Sequence, residues 1–340
     1  MKRKTLIPLI LGIAAVNASV IALAADSKFQ LKEDSHGVEI TVDGKPFACY
    51  VIDQINKPYL WPVYGPTGKA MTRAFPMQEV STETKTQRDH YHHRGIVFGH
   101  ESIGGADTWT ERGTHEPGLN NPKVSETSQK RLDLLGNIKH VKFTELKADS
   151  DKAIVKETCE YVDPKGKRLL TEERRLTFRS TPEIRSIDFD QDFIASEGEI
   201  SFDDRKDAGL SIRVPASMAV DSKEGGKIVN SDGVTDKDAW SKAAKWCDYN
   251  GPVEGEHLGV AFLNHPGSFS FPTHWHVRTY GLFTANPFAS NQYDKERPVL
   301  TTTLKPGERL KLRHRFVFHK GDEKSANVSA LFEAYAKETK

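Results

Sequence analysis

Cysteine is scarce in this chain, with three in 340 residues: Cys49, Cys159 and Cys247. The odd count and wide spacing exclude a disulfide framework and a local thiolate metal motif. One disulfide at most is allowed, and packed small hydrophobes are the ordinary use of such residues. Neither sign of charge is in excess, since 48 Lys and Arg against 47 Asp and Glu leave a formal charge of +1. Nothing in that balance favours nucleic acid or an anionic lipid surface. Several catalytic signatures are also missing. There is no G-x-S-x-G, no Gly-rich phosphate loop, no C-x-x-C and no calcium-loop pattern.

Long apolar runs are absent after the first one. Leu6 to Leu23 is apolar except for Asn17 and Ser19, follows Lys2, Arg3 and Lys4, and ends in Ala22-Leu23-Ala24. That order of charge, apolar run and small residues predicts a cleaved secretory peptide over residues 1–24. No cysteine follows it to suggest a lipid anchor. The expected mature chain, residues 25–340, is about 315 residues with a charge of about −2, and is expected in the periplasm or outside the cell with no membrane span left.

What is abundant is short alternating strand. Gly37 to Val51 alternates through Val38, Ile40 and Val42, turns at Asp43-Gly44 and resumes at Phe47, which predicts a hairpin. Val141–Phe143, Ala153–Glu157, Leu169–Phe178 and Ile184–Phe193 read as a meander broken by polar turns. Leu210–Val214, Leu258–Leu263, Val299–Leu304 and Leu310–Phe318 behave alike. Val328, Leu331, Phe332 and Tyr335 share one face of a terminal helix, and Lys237–Lys245 could form a short one. Without βαβ alternation or a repeat, the pattern predicts one all-β domain, a large antiparallel β-sandwich with a short C-terminal helix. The loop Ser102–Pro122 reads as a long excursion of the kind that often carries function.

Chemistry concentrates in two segments. "RDHYHHRGIVFGHES", Arg88 to Ser102, holds four of the thirteen histidines. Taken as a strand, it puts His90 and His92 on one face and His93 on the other. "FPTHWHVR" puts His274, His276 and Arg278 on one face. If the two segments meet, His90, His92, His274 and His276 could hold a divalent metal, because imidazole suits zinc, copper, iron or nickel. Alternatively His90, His92, His93 and His276 serve as acid, base or hydrogen-bond donors, or the histidines are structural. Arg73, Arg94, Arg213 and Arg278 are candidates for binding substrate oxygens through guanidinium forks. Trp109 and Trp275 are candidate platforms for a sugar ring, with Asn286 among the polar contacts. Candidate carboxylates are too many to choose between: Asp89, Glu101, Asp107, Glu111, Asp203, Asp204 and Asp248.

The segments "NKPYLWPVYGPTGKAMTRAFP", "DHYHHRGIVFGHESIGGADTW", "KWCDYNG" and "HWHVRTYGLFTANPF" together resemble a family of secreted bacterial proteins. That family is described as a domain of unknown function or as methane-oxygenase PmoA-like. The second label implies an integral-membrane copper subunit, from which this chain departs because no spanning helix follows the leader. The chain also resembles the galactose-mutarotase-like supersandwich proteins, which include sugar epimerases and polysaccharide-lyase domains. These resemblances imply a carbohydrate ligand and a His-dependent epimerase, lyase or hydrolase. A non-catalytic glycan-binding protein and a metal-dependent oxidase or oxygenase are the alternatives.

Overall fold

The computed structural model describes residues 28–339; the leader expected over residues 1–24 lies outside them. In chain order, the first sheet begins with β1 (Phe29–Asp34), β2 (Gly37–Val42), β3 (Lys45–Val51), β4 (Tyr59–Val63) and β5 (Ile96–His100). Two helices follow, α1 (Arg112–His115) and α2 (Ser125–Leu132). Then come β6 (Asn137–Ala148), β7 (Ala153–Val162), β8 (Arg168–Ser180), β9 (Ile184–Ile194), β10 (Ile200–Phe202), β11 (Ala208–Arg213) and β12 (Lys227–Asn230). The chain continues through β13 (Trp246–Val253), β14 (Glu256–Asn264), β15 (His274–Val277), β16 (Leu282–Asn286), β17 (Thr302–Leu304) and β18 (Arg309–Lys320) to α3 (Val328–Ala336).

Two antiparallel sheets result, each of eight strands. One runs β1-β2-β3-β4-β5-β11-β16-β15 and the other β12-β13-β14-β18-β9-β8-β7-β6, with β10 and β17 as a separate pair. This is the large antiparallel sandwich with a terminal helix that the alternation predicts. The hairpin turns at Asp43-Gly44, both at positive φ, as that dipeptide allows. The three cysteines are free thiols. The expected helix at Lys237–Lys245 is only a single 3-10 turn at Asp236–Ala239.

Alternation decides what each strand buries. Ile96 and Phe98 of β5, Leu210 and Ile212 of β11, Phe283 and Ala285 of β16, and Trp275 and Val277 of β15 join one core with Leu176, Phe178, Phe193, Phe262 and Phe316 of the facing sheet. The core also encloses charge: Arg174 reaches Glu172 through Nε and Nη2 at 2.7 and 2.8 Å and donates to the Tyr50 hydroxyl at 2.7 Å. Helix α3 covers the far side of the second sheet, packing Val328, Phe332 and Tyr335 against Trp246, Leu263 and Val317.

The other face of the first sheet carries the site. Pairing sets His276 opposite Thr284, Thr284 opposite Ser211, and Ser211 opposite Val97, a row of side chains pointing away from the core. All four are buried: Val97 packs against Val51 and Tyr59, and the His276 ring lies against Trp240 and Tyr293.

Candidate functional site

The segment carrying the first histidines is not a strand. Residues 81–94 are turn and coil up to the start of β5, and His90 sits at φ +46°. A fully buried arginine shapes this coil. Arg73 donates to the carbonyls of Phe75, Gln87, Asp89 and His90 at 3.0, 2.9, 2.8 and 3.1 Å, and to the Asp89 carboxylate at 2.6 Å. Burial brings Arg73 down to about 10, helped by the neighbouring Arg213 charge. The expected division of His90 and His92 from His93 across a strand is therefore wrong. The His90 and His93 rings stack at 4.7 Å, and His92 meets His93 edge-on at 4.4 Å. Tyr280, on the β15–β16 turn, stacks parallel to His90 at 5.5 Å.

Asp89 organises the ionisable groups. One of its oxygens accepts from Arg73 and from Arg213 Nη2 (2.7 Å), and the other lies 2.7 Å from His90 Nδ1. Burial works to raise this carboxyl, but the hydrogen bond from His90 and the Arg213 charge outweigh it and hold it well below the usual carboxylate range. A carboxylate only accepts, so the shared proton is assigned to His90 Nδ1, which leaves Nε2 for the cavity. The reverse holds at His93. Arg213 Nη1 lies 3.0 Å from His93 Nδ1 and can only donate, so the His93 proton sits on Nε2. Burial first, then the charges of its neighbours, holds His92 and His93 well below the ordinary histidine value.

His276 faces the same cavity from β15. Its Nδ1 donates to the Lys206 carbonyl at 2.9 Å, and its Nε2 lies 3.8 Å from the Asp207 carboxylate. Burial lowers it to about 4. On another wall, burial and the nearby Asp207 raise the Glu101 carboxyl, which sits 3.1 Å from Arg131 of α2.

Trp109 closes the cavity, its ring edge-on to His92 and His93 at 6.2 and 6.0 Å. Its turn is built by Lys57 and Asp107. Lys57 Nζ, wholly buried and lowered by that burial to about 8, donates to the carbonyls of Thr108, Trp109 and Thr110 at 2.8, 2.7 and 3.0 Å. Asp107 accepts from the backbone N–H of Trp109 and Thr110 at 2.8 and 3.0 Å. The turn lies directly on Gly99 of β5, where a Cβ would stand 2.8 Å from the Trp109 Cα and the Thr108 oxygen. Gly99→Ala is therefore expected to lower stability by about 1–3 kcal/mol by levering this turn off the strand. Urea unfolding measures it, and an unchanged midpoint would contradict the packing described.

The cavity has a volume of about 430 Å³ and is lined by His90, His92, His93, Trp109, Thr114, His115, Glu101, Arg131, Lys206, Asp207, His276, Arg278 and Tyr280. The two histidine segments do meet, through His276. Other expected roles need correction. His274 leaves the group: its Nε2 accepts from Arg297 at 2.8 Å beside Tyr293. The metal set His90, His92, His274 and His276 is thus not assembled. Among the described residues no three His, Cys, Asp or Glu side chains converge as a metal site. Trp275 is no platform, because it is fully buried between the sheets and donates to the Ala244 carbonyl. Alternation already placed it on the opposite face from His276. Arg94 is taken by Glu111, with two bonds of 2.8 Å. Arg73 and Arg213 grip Asp89 instead of a ligand. Asn286 is wholly buried and holds up the segment that bears Lys206, donating to the Arg205 and Lys206 carbonyls at 2.9 and 3.0 Å. Lys57, Arg131, Lys206, Asp207 and His115 escape a reading by sequence, since only distant chain contacts bring them together. Asp89, Glu101 and Asp107 were visible only as three among many acidic residues.

No helix of the described residues is long and apolar enough to cross a membrane. No curated protein matches the chain in sequence. Among solved structures it is similar to an alpha-galactosidase from Lactobacillus brevis, at 10% identity and a TM-score of 0.39, over 92% of this chain and 43% of that one. It is also similar to a galactose 1-epimerase from Lactobacillus acidophilus NCFM, at 10% identity and a TM-score of 0.37, over 87% of this chain and 100% of that one. The chain thus spans less than half the length of the galactosidase, and similarity of this degree transfers no activity. A family model fits residues 37–333, nearly the whole described chain, and the protein belongs to that family, the family of unknown function DUF6807.

Proposed function

We propose that the protein is an exported, periplasmic or secreted, His-dependent acid–base enzyme acting on a sugar or glycan derivative. The observation that carries this reading is the Asp89–His90 pair. An ionised carboxylate orients the imidazole through Nδ1 and leaves Nε2 toward a cavity, the arrangement a general base needs. A second set stands in the same cavity to handle the returning proton: Glu101, with its carboxyl raised by burial, and His276 beside Asp207. The His93 Nε2–H supplies a fixed donor for a substrate oxygen. A volume of about 430 Å³ suits a sugar of one or two rings. Trp109 and Tyr280 offer aromatic surface beside the polar groups, the mixture by which sugars are held. Export rests on the N-terminal pattern of charge, apolar run and small residues.

The test is turnover of a panel of sugars and glycosides in D₂O, followed by proton NMR. This reads solvent deuterium entering carbon positions, anomeric exchange and bond cleavage together. His90→Asn is expected to lower the wild-type rate at least about a hundredfold while leaving the fold intact, since the His90 side chain is 44% exposed. Turnover in the variant equal to the wild type would overturn the assignment. Sugar binding without turnover in either protein would leave glycan binding as the function.

A further inference from the structure

We propose that the substrate carries a carboxylate, as a uronic or other sugar acid, and that Arg278 is the residue that recognises it. This rests on the sugar reading above and adds the charge of the ligand to it.

The argument is a charge balance around one cavity. Three basic and two acidic side chains line it: Arg131, Lys206 and Arg278, against Glu101 and Asp207. Two of the cations are matched. Arg131 lies 3.1 Å from Glu101, and Lys206 lies 3.7 Å from Asp207. Arg278 has no carboxylate within ion-pair distance among the described residues. Its guanidinium instead lies against two aromatic faces, Trp240 at 5.8 Å and Tyr280 at 5.6 Å. Such contacts hold a guanidinium in place and cover its planes, but they leave its N–H edge without acceptors. Behind the wall, Arg73 and Arg213 share the single carboxylate of Asp89, so the surroundings add positive potential and do not remove it. The histidines do not supply the missing negative charge either.

A held guanidinium with a free edge in a cavity is a fork for a planar, two-oxygen anion. One excess positive charge beside Asp207 matches a monoanion better than a phosphate dianion. Its place also fits the chemistry proposed above. Arg278 directly follows β15, two residues after His276, and Tyr280, which Arg278 covers, stacks on His90. A carboxylate on Arg278 therefore sets the attached sugar ring over the histidines.

Saturation-transfer NMR and calorimetry with D-glucuronate, D-galacturonate, D-glucose, D-galactose and glucose 6-phosphate test this on the wild type, Arg278→Gln and Arg278→Lys. The wild type is expected to bind the uronates about ten- to a hundredfold more tightly than the neutral sugars. That preference should weaken with added salt. Arg278→Gln should abolish it, and Arg278→Lys, which keeps the charge but not the fork, should retain part of it. Equal binding of neutral sugars and uronates by the wild type would overturn this inference and leave the sugar reading standing. A preference for glucose 6-phosphate over the uronates would overturn the carboxylate assignment. A uronate preference that survives in Arg278→Gln would remove the role of Arg278. Failure of every sugar to bind would bring down both readings.

Discussion

Asp89→Asn is expected to cost turnover about a thousandfold or more and stability about 3–5 kcal/mol together. The two losses have separate physical causes. Arg73 and Arg213 have side chains only 1% and 3% exposed, and both direct their charge at one Asp89 oxygen. Removing that negative charge leaves two buried guanidinium ions 2.6 and 2.7 Å from a neutral amide, and breaking a buried pair in this way costs about 3–5 kcal/mol. The catalytic loss arises at His90. An amide nitrogen facing Nδ1 donates where the carboxylate accepted, so the ring proton moves to Nε2 and the base turned to the cavity is lost. Wrong-tautomer variants of this kind lose about ten-thousandfold in serine proteases. His90→Asn separates the two effects, because it removes the base while Asp89 still neutralises both arginines. Urea unfolding and turnover on the same substrate should show both losses in Asp89→Asn and only the catalytic one in His90→Asn. A stable, active Asp89→Asn protein would mean that the carboxylate neither holds the coil nor orients the imidazole.

The same contacts explain which features could be read from the sequence. Period-two alternation is a local property, and it predicts the hairpin at Asp43-Gly44, the β6–β9 meander and the pairing of His274 with His276 on one strand face. The helical face of Val328, Phe332 and Tyr335 is equally local. Helix α2 escaped because it buries only Ser128 and Leu132, too little to leave an apolar stripe. The histidine coil was misread as a strand for a different reason. Its shape comes from Arg73, 16 residues before Asp89, and Arg213, 124 residues after it. No window around His90 contains either partner. The convergence of the two histidine segments was legible as a possibility from composition. Which histidine of each pair takes part depended on partners such as Arg297, which claims His274.

Acid should unfold this protein steeply, and the buried histidines set where. Burial lowers His276 to about 4 and His100 to about 3, and holds His92 and His93 well below the ordinary value of 6.5. In the unfolded chain these rings take up protons near pH 6.5, whereas in the folded chain they do not until much lower pH. Between those limits the unfolded state binds more protons, so stability is complete above about pH 6.5 and falls as pH drops toward the folded values. Each ring contributes about 1.4 kcal/mol per pH unit within its window. Two carboxyls, Glu101 and Glu157, oppose the trend. Burial raises the Glu157 carboxyl to about 7, so its contribution is full below the ordinary value of 4.5 and is lost as pH rises to about 7. The lowered histidines outnumber the opposing carboxyls, so stability is expected to fall by about a few kcal/mol as pH drops from about 6 to 5. A domain of ordinary stability, about 5–15 kcal/mol, cannot withstand that slope for more than a few units. Urea midpoints at about pH 7, 6 and 5 measure it. His100→Gln should reduce the slope by about one proton, or about 1.4 kcal/mol per pH unit, because His100 is wholly buried beside Phe202 and Phe288. A wild-type stability that stays flat from pH 7 to 5 would mean that these rings are not held neutral by burial.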